Sequence, residues 1–120
     1  MRASLLLAAA CAAGAGCASA ASGPVSPWEA IQHVSRYRAV CGTVADTRYL
    51  ALEGHTTYLY FERPHPDHPF EVVISGRIRS SFVERPERLY LDETICVRGI
   101  ISLSGTARIV VTDRGQISIP

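Results

Sequence analysis

Tyr58 and Tyr60 alternate with Leu59 and Phe61, and arginines follow at Arg63, Arg77 and Arg79. Successive side chains of an extended chain point to opposite faces. With Leu59 and Phe61 turned inward, both tyrosines face outward. An outward aromatic ring can stack a nucleobase, worth ~1–3 kcal/mol per base, and a guanidinium can fork onto a phosphate. These five residues form the candidate ligand-binding set, and single-stranded nucleic acid is the ligand that suits their chemistry. The same alternation is also ordinary for a half-buried strand. Glu62, Asp67 and Glu71 stand close enough in sequence to pair the arginines in place of a ligand.

Other constellations promise less. His65-x-x-His68, with Asp67 between them, has the residue types of a metal site. Zinc requires three or four ligands in tetrahedral array, and Pro64, Pro66 and Pro69 restrict how the two imidazoles converge, so no metal is expected. His33 reads as a hydrogen-bonding packing residue and His55 as a turn residue. The run Val44-Ala45-Asp46-Thr47-Arg48 holds a single carboxylate, too few oxygens for a hard cation. Nucleophile, phosphate-loop and dinucleotide motifs are absent from the sequence. A binding module without cofactor, not an enzyme, is the expectation.

The start of the chain indicates where such a module works. Arg2 is followed by an apolar run from Leu5 to Ala13, then by small residues. That pattern reads as an export signal over residues 1–20, too short for a membrane span. Two processing sites compete. Ala15-Gly16-Cys17 resembles a lipobox that would leave Cys17 lipid-modified, although Gly14 stands where a branched apolar residue is usual. Ala18-Ser19-Ala20 is a small-x-small site that would release a soluble chain. Residues 21–26 form a small-residue linker, and residues 27–120 the folded domain. The expected location is the cell envelope or periplasm, with the membrane reached only through the lipid anchor, or else secretion.

The 120 residues carry 12 basic side chains, all Arg, against 11 acidic, a formal charge of +1. Loss of Arg2 with the leader leaves the two signs equal. A polybasic nucleic-acid coat and an acidic tail are therefore excluded, and an apolar fraction of 48% excludes disorder.

Beyond the leader, Cys41 and Cys96 remain, an even number in an oxidising compartment. Each lies in a strand-like run, Val40-Cys41-Gly42-Thr43-Val44 and Ile95-Cys96-Val97, on the face opposite its branched apolar neighbours. A bridge between neighbouring strands is expected, with two free thiols as the alternative.

The elements that must position these groups are mostly strands. Ser26-Pro27-Trp28-Glu29 reads as the start of a short helix ending near Tyr37, with Trp28 and Ile31 on its docking side. Strands follow at 39–52, with a bend at Gly42, then at 57–62, 70–75, 94–103 and 107–112. The Pro-rich segment 64–69 cannot be a central strand. Residues 76–92 are polar and Arg-rich, with Phe82 and Leu89 as anchors and Arg85-Pro86-Glu87-Arg88 as solvated charge. Gln116 to Ile119 can lie back as an extended tail. Five strands with a long connection between the third and fourth suit a closed Greek-key barrel.

The residues Trp28-Glu29-Ala30, His33, Val40-Cys41-Gly42-Thr43-Val44, Tyr58-Leu59-Tyr60-Phe61, Pro64, Pro66, Phe70, Val72-Val73-Ile74, Phe82, Ile95 to Ile101, Gly105 and Ile109-Val110-Val111 resemble a family of small exported bacterial OB-fold domains. Such domains also occur appended to secreted nucleases. The likeness covers Trp28 to Ile117 and rests on fold-making positions. Ser35 and Ser75 depart from it, where Gly and an aromatic are usual. It implies an all-β, five-stranded Greek-key OB-fold barrel with a short N-terminal α-helix. OB folds as a class bind single-stranded nucleic acid, glycans or proteins, so an envelope protein or glycan is the alternative partner.

Overall fold

The computed structural model describes residues 23–120. The expectations for the export signal and for Cys17 lie outside that range. Six strands dominate: β1 (Tyr37–Leu50), β2 (Thr56–Phe61), β3 (Phe70–Ile74), β4 (Thr94–Ser104), β5 (Thr106–Val111) and the short β6 (Ile117–Ser118). Their order is β1-β2-β3-β5-β4, and β4 pairs back onto β1, so five strands close a barrel; β6 adds to β4. All neighbouring pairs are antiparallel except β3 with β5, where Val72 lies opposite Ile109 in a parallel ladder.

β1 closes the barrel because it serves two partners. Tyr37 to Thr43 pair with β4, and Val44 to Leu50 pair with β2. The register slips between Val44 and Asp46. That extra residue is a bulge, which bends and twists a strand. The bend is thus at Ala45 rather than Gly42. Gly42 meets a different demand, since a Cβ there would fall 2.5 Å from Pro27 Cγ and 2.6 Å from Glu62 Oε2.

The inward positions follow the strand period of two. Val40, Val44, Leu59, Phe61, Val72, Ile95, Val97 and Ile109 are all fully buried. Phe61 and Phe70 meet edge to face with ring centroids 5.2 Å apart. Between β3 and β4 the chain makes a 3-10 turn (Gly76–Ser81) and the single-turn helix α1 (Pro86–Leu89). Phe82 and Tyr90 pack edge to face there and join the core. Phe82 and Leu89 are anchors as expected, whereas Tyr90 carries no sequence signal beyond its type.

Cys41 lies directly opposite Cys96, and the two are bridged. The Cys41 backbone N–H donates to Val25 O instead of across to β4. The cysteines therefore face each other at a closely spaced, non-hydrogen-bonded site of the ladder, with Cα atoms 4.0 Å apart. Their shared outward parity is what brings the sulfurs together.

Among the described residues, the α-helix expected from Ser26 to near Tyr37 is not formed. Ser26 Oγ accepts from Glu29 N–H at 3.2 Å as a cap should, but only Ala30–His33 are helical, as a 3-10 turn. Ser35 then adopts φ 74°, which ends any helix, and β1 starts at Tyr37. A three-residue period turns Ala30 inward and leaves Trp28 and Ile31, the expected docking pair, more than half exposed.

Candidate functional site

The outer faces of β1, β2, β3 and β5 form one wall. Tyr58 stands opposite Arg48 on β1 and Val73 on β3, and Tyr60 opposite Asp46 and Glu71. Glu71 in turn stands opposite Arg108 on β5. The two tyrosine rings stack with centroids 6.0 Å apart. As read from the sequence, Leu59 and Phe61 are inward and both tyrosines outward.

The β2–β3 loop folds over this wall. His65 stacks on Tyr60 at 4.8 Å, and His68 lies on it at 4.3 Å. Only 3% of Tyr60 remains exposed, while Tyr58 stays half-buried. Burial raises the Tyr60 phenol pKa above its usual value; the Glu71 carboxylate adds to that, and Arg48 opposes it. Tyr60 thus keeps its proton at neutral pH and is a floor beneath the histidines, with Tyr58 as the open ring.

Beneath that roof runs a chain of charge-assisted contacts. His68 Nε2 is 2.7 Å from Glu71 Oε1. Arg108 Nη2 donates to Glu71 Oε2, and the Arg108 guanidinium lies 6.0 Å from the Tyr58 ring centroid. Glu71 is 4% exposed. A carboxylate so buried needs partners, and Arg108 and His68 supply them from different elements.

The result is a cleft of about 390 Å³. Tyr58, Tyr60, His65 and Arg108 line its middle, Arg48 and Glu53 one side, and Ser104 and Thr106 the other. It therefore opens between the β1–β2 turn and the β4–β5 turn, with two guanidinium groups flanking a partly exposed ring.

The predicted arginines go elsewhere. The Arg63 guanidinium lies over Trp28, 5.3 Å from the ring centroid. Arg77 is exposed on the 3-10 turn after β3. Arg79 forms a two-pronged bond to Glu87 at 2.9 Å, donates to Thr57 Oγ1 at 2.9 Å and covers the Tyr49 ring at 3.7 Å. None of the three lines the cleft. Glu87, expected to be solvated charge, is instead the partner that holds Arg79. Its carboxyl is held below the usual range by the Arg79 hydrogen bond, with burial opposing.

Arg48, Arg108, His65, His68 and Glu71 are among the cleft residues outside the ligand set expected from the sequence. A weak signal for one exists, since Glu71 occupies an outward position in an otherwise apolar strand. Arg48 and Arg108 required the pairing of β1 with β2 and of β3 with β5, and His65 and His68 the folding of the β2–β3 loop over Tyr60. The His65 and His68 rings are 5.1 Å apart, but His68 turns a nitrogen to Glu71. Among the described residues no group of three or more His, Cys, Asp or Glu is gathered to hold a metal ion. His33 accepts from Arg38 through Nδ1 at 3.1 Å. His55 sits in the β1–β2 turn with Nδ1 2.6 Å from the Tyr49 hydroxyl.

Neither the protein-family models nor the curated proteins contain a match to this chain, so barrel and cleft carry the functional reading by themselves.

Proposed function

We propose that this is an exported OB-type binding module that takes a short single-stranded nucleic acid in the Tyr58 cleft. The strand order, with β3 parallel to β5 and the polar connection between β3 and β4, supports an OB Greek key. In OB folds the β2–β3 face and the loops joining β1 to β2 and β4 to β5 take ligands, and the cleft lies among those elements. The disulfide suits an oxidising compartment, in keeping with export to the envelope, by lipid anchor at Cys17 or in soluble form.

The observation that carries the reading is the half-buried Tyr58 ring between Arg48 and Arg108. A base stacks on the ring, and the adjoining phosphates meet the two guanidinium groups. The reading is one of binding without catalysis. His68 and Glu71, a pair suited to proton transfer, are bonded to each other beneath the surface. The proposed site set is therefore Tyr58 as the stacking ring, with Tyr60 as the covered floor beneath His65 and His68 instead of a second platform, and Arg48 and Arg108 in the roles first given to Arg63, Arg77 and Arg79.

Fluorescence anisotropy with a labelled short oligonucleotide tests this. Two phosphate contacts predict a slope of roughly −1.4 in log K against log salt, and Tyr58→Ala weakens binding at least fivefold. Absence of binding at low salt, or an unchanged affinity in Tyr58→Ala, rejects the reading. The exposed Glu53 carboxylate in the cleft, with the Ser104 and Thr106 hydroxyls, favours a second one, a glycan whose hydroxyls bond to them while a sugar face stacks on Tyr58. Binding of an oligosaccharide without salt dependence identifies that case.

A further inference from the structure

The 3-10 turn at Ala30–His33 presents a face distant in role from the cleft. Three residues per turn place Trp28 and Ile31 on one ridge and Glu29 and Gln32 on the next. Trp28 is 52% exposed and Ile31 55%. The second ridge borders a hollow of about 480 Å³, together with Pro24, Val25, His33, Arg36 and Arg38.

The hollow is rich in donors. Arg38 Nη1 lies 3.1 Å from His33 Nδ1. A guanidinium only donates, so Nδ1 accepts, and the neutral ring carries its proton on Nε2. Arg38 Nη2 also donates to Gly23 O, while Arg36 is exposed at the rim. Arg63 lies over Trp28 on the neighbouring ridge. Two guanidinium groups, Arg36 and Arg38, thus share the hollow with the single Glu29 carboxylate, and on the neighbouring ridge Arg63 stands beside Glu62, whose Oε2 lies near Pro27, next to two large exposed apolar side chains. The protein as a whole is near neutral, so this concentration of positive charge is local.

Basic groups beside exposed Trp and aliphatic side chains suit the interface of a bilayer. Covalent geometry points the same way. Pro24 and Val25 border the hollow, so the chain enters the domain at this face. If Cys17 bears a lipid, the six residues to Gly23 span at most ~21 Å, so the entry face stays within that reach of the membrane. That distance argument rests on the lipid-anchor reading; the charge and the apolar ridge do not.

We propose that this face docks on an anionic membrane surface, with a lipid phosphate in the hollow against Arg36 and Arg38 and with Trp28 and Ile31 in the interfacial layer. Docking here leaves the Tyr58 cleft free for its ligand.

Trp28 is the only tryptophan in the sequence, so its emission reports this face alone. The soluble chain beginning at Ala21, the product of the Ala18-Ser19-Ala20 site, has no acyl chain; it is mixed with vesicles of phosphatidylglycerol and phosphatidylcholine, or of phosphatidylcholine only. Co-sedimentation and a blue shift are expected with the anionic vesicles at low salt and not with the neutral ones. Arg36→Ala weakens binding about fivefold, Ile31→Ser reduces the blue shift, and Tyr58→Ala leaves both unchanged. Equal behaviour with both vesicle types, an unmoved emission maximum, or full binding by Arg36→Ala overturns the proposal. Soluble glycerophosphate that produces the same blue shift without vesicles shows a free-phosphate site and overturns it as well.

Discussion

Replacing both bridged cysteines by serine should cost this domain a large part of its stability without changing its fold. Cys41 and Cys96 are 55 residues apart in the chain. Releasing a loop of that length from the unfolded state corresponds to about 4 kcal/mol in the chain-entropy account. The folded state loses little by comparison. Both residues are only partly buried on the outer side of the β1–β4 ladder, so two serines open no cavity in the core. The loss therefore falls almost wholly on the unfolded chain. Domains of this size shift roughly 4–8 °C per kcal/mol, which gives a drop of about 15–30 °C in Tm. Urea unfolding of Cys41→Ser/Cys96→Ser beside the oxidised wild type measures the difference. The double variant should retain the native circular dichroism spectrum and unfold at much lower urea, matching wild type kept in reductant. A loss below about 1 kcal/mol, or a variant without native secondary structure, refutes the reasoning.

Two further perturbations probe particular contacts. Gly99→Ala puts a Cβ 2.7 Å from Ile109 Cγ2, an overpacking that should lower stability by roughly 1–3 kcal/mol in urea unfolding; unchanged stability contradicts the close approach of β4 and β5 there. Glu87→Gln tests the bond to Arg79. The Glu87 carboxyl pKa is lowered in the folded state, chiefly by that bond, so its stabilisation is present above the unfolded value of about 4.3 and is lost as pH falls through the folded value. The variant should be less stable than wild type at pH 7, and the gap should narrow as pH is lowered below about 4.3, as read from urea midpoints over a pH series.

What the sequence discloses depends on how local the deciding interaction is. The parity of Leu59 and Phe61 against Tyr58 and Tyr60 is a property of one strand, and it holds. The cysteine parity is a property of two strands, and it points to the bridge, which then needs the register that sets Cys41 directly opposite Cys96. The turn at Gly105, with φ 76°, is marked by the residue that tolerates that backbone. The arginines defeat the same approach. Sequence proximity assigns Arg63, Arg77 and Arg79 to the tyrosine wall, yet Arg79 finds Glu87 eight residues on and Arg63 finds Trp28. Arg108 reaches Glu71 across 37 residues only because β3 and β5 run parallel side by side, a pairing without local signature. The helix expected from Ser26-Pro27-Trp28-Glu29 fails for a related reason. Its cap forms, but burial of Ala30 and the early start of β1 select a tighter turn that needs no apolar stripe at helical spacing.

The claim that the outer wall is a ligand site is tested most directly by amide chemical-shift mapping of the isotope-labelled protein during titration with a short single-stranded oligonucleotide. The largest shifts are expected at Arg48, Tyr58, His65 and Arg108 and in the turns on either side of the cleft, with Arg77 and the Trp28 face undisturbed. Shifts gathered on the Trp28 face or around Arg77 and Arg79, or none at millimolar strand, contradict the account.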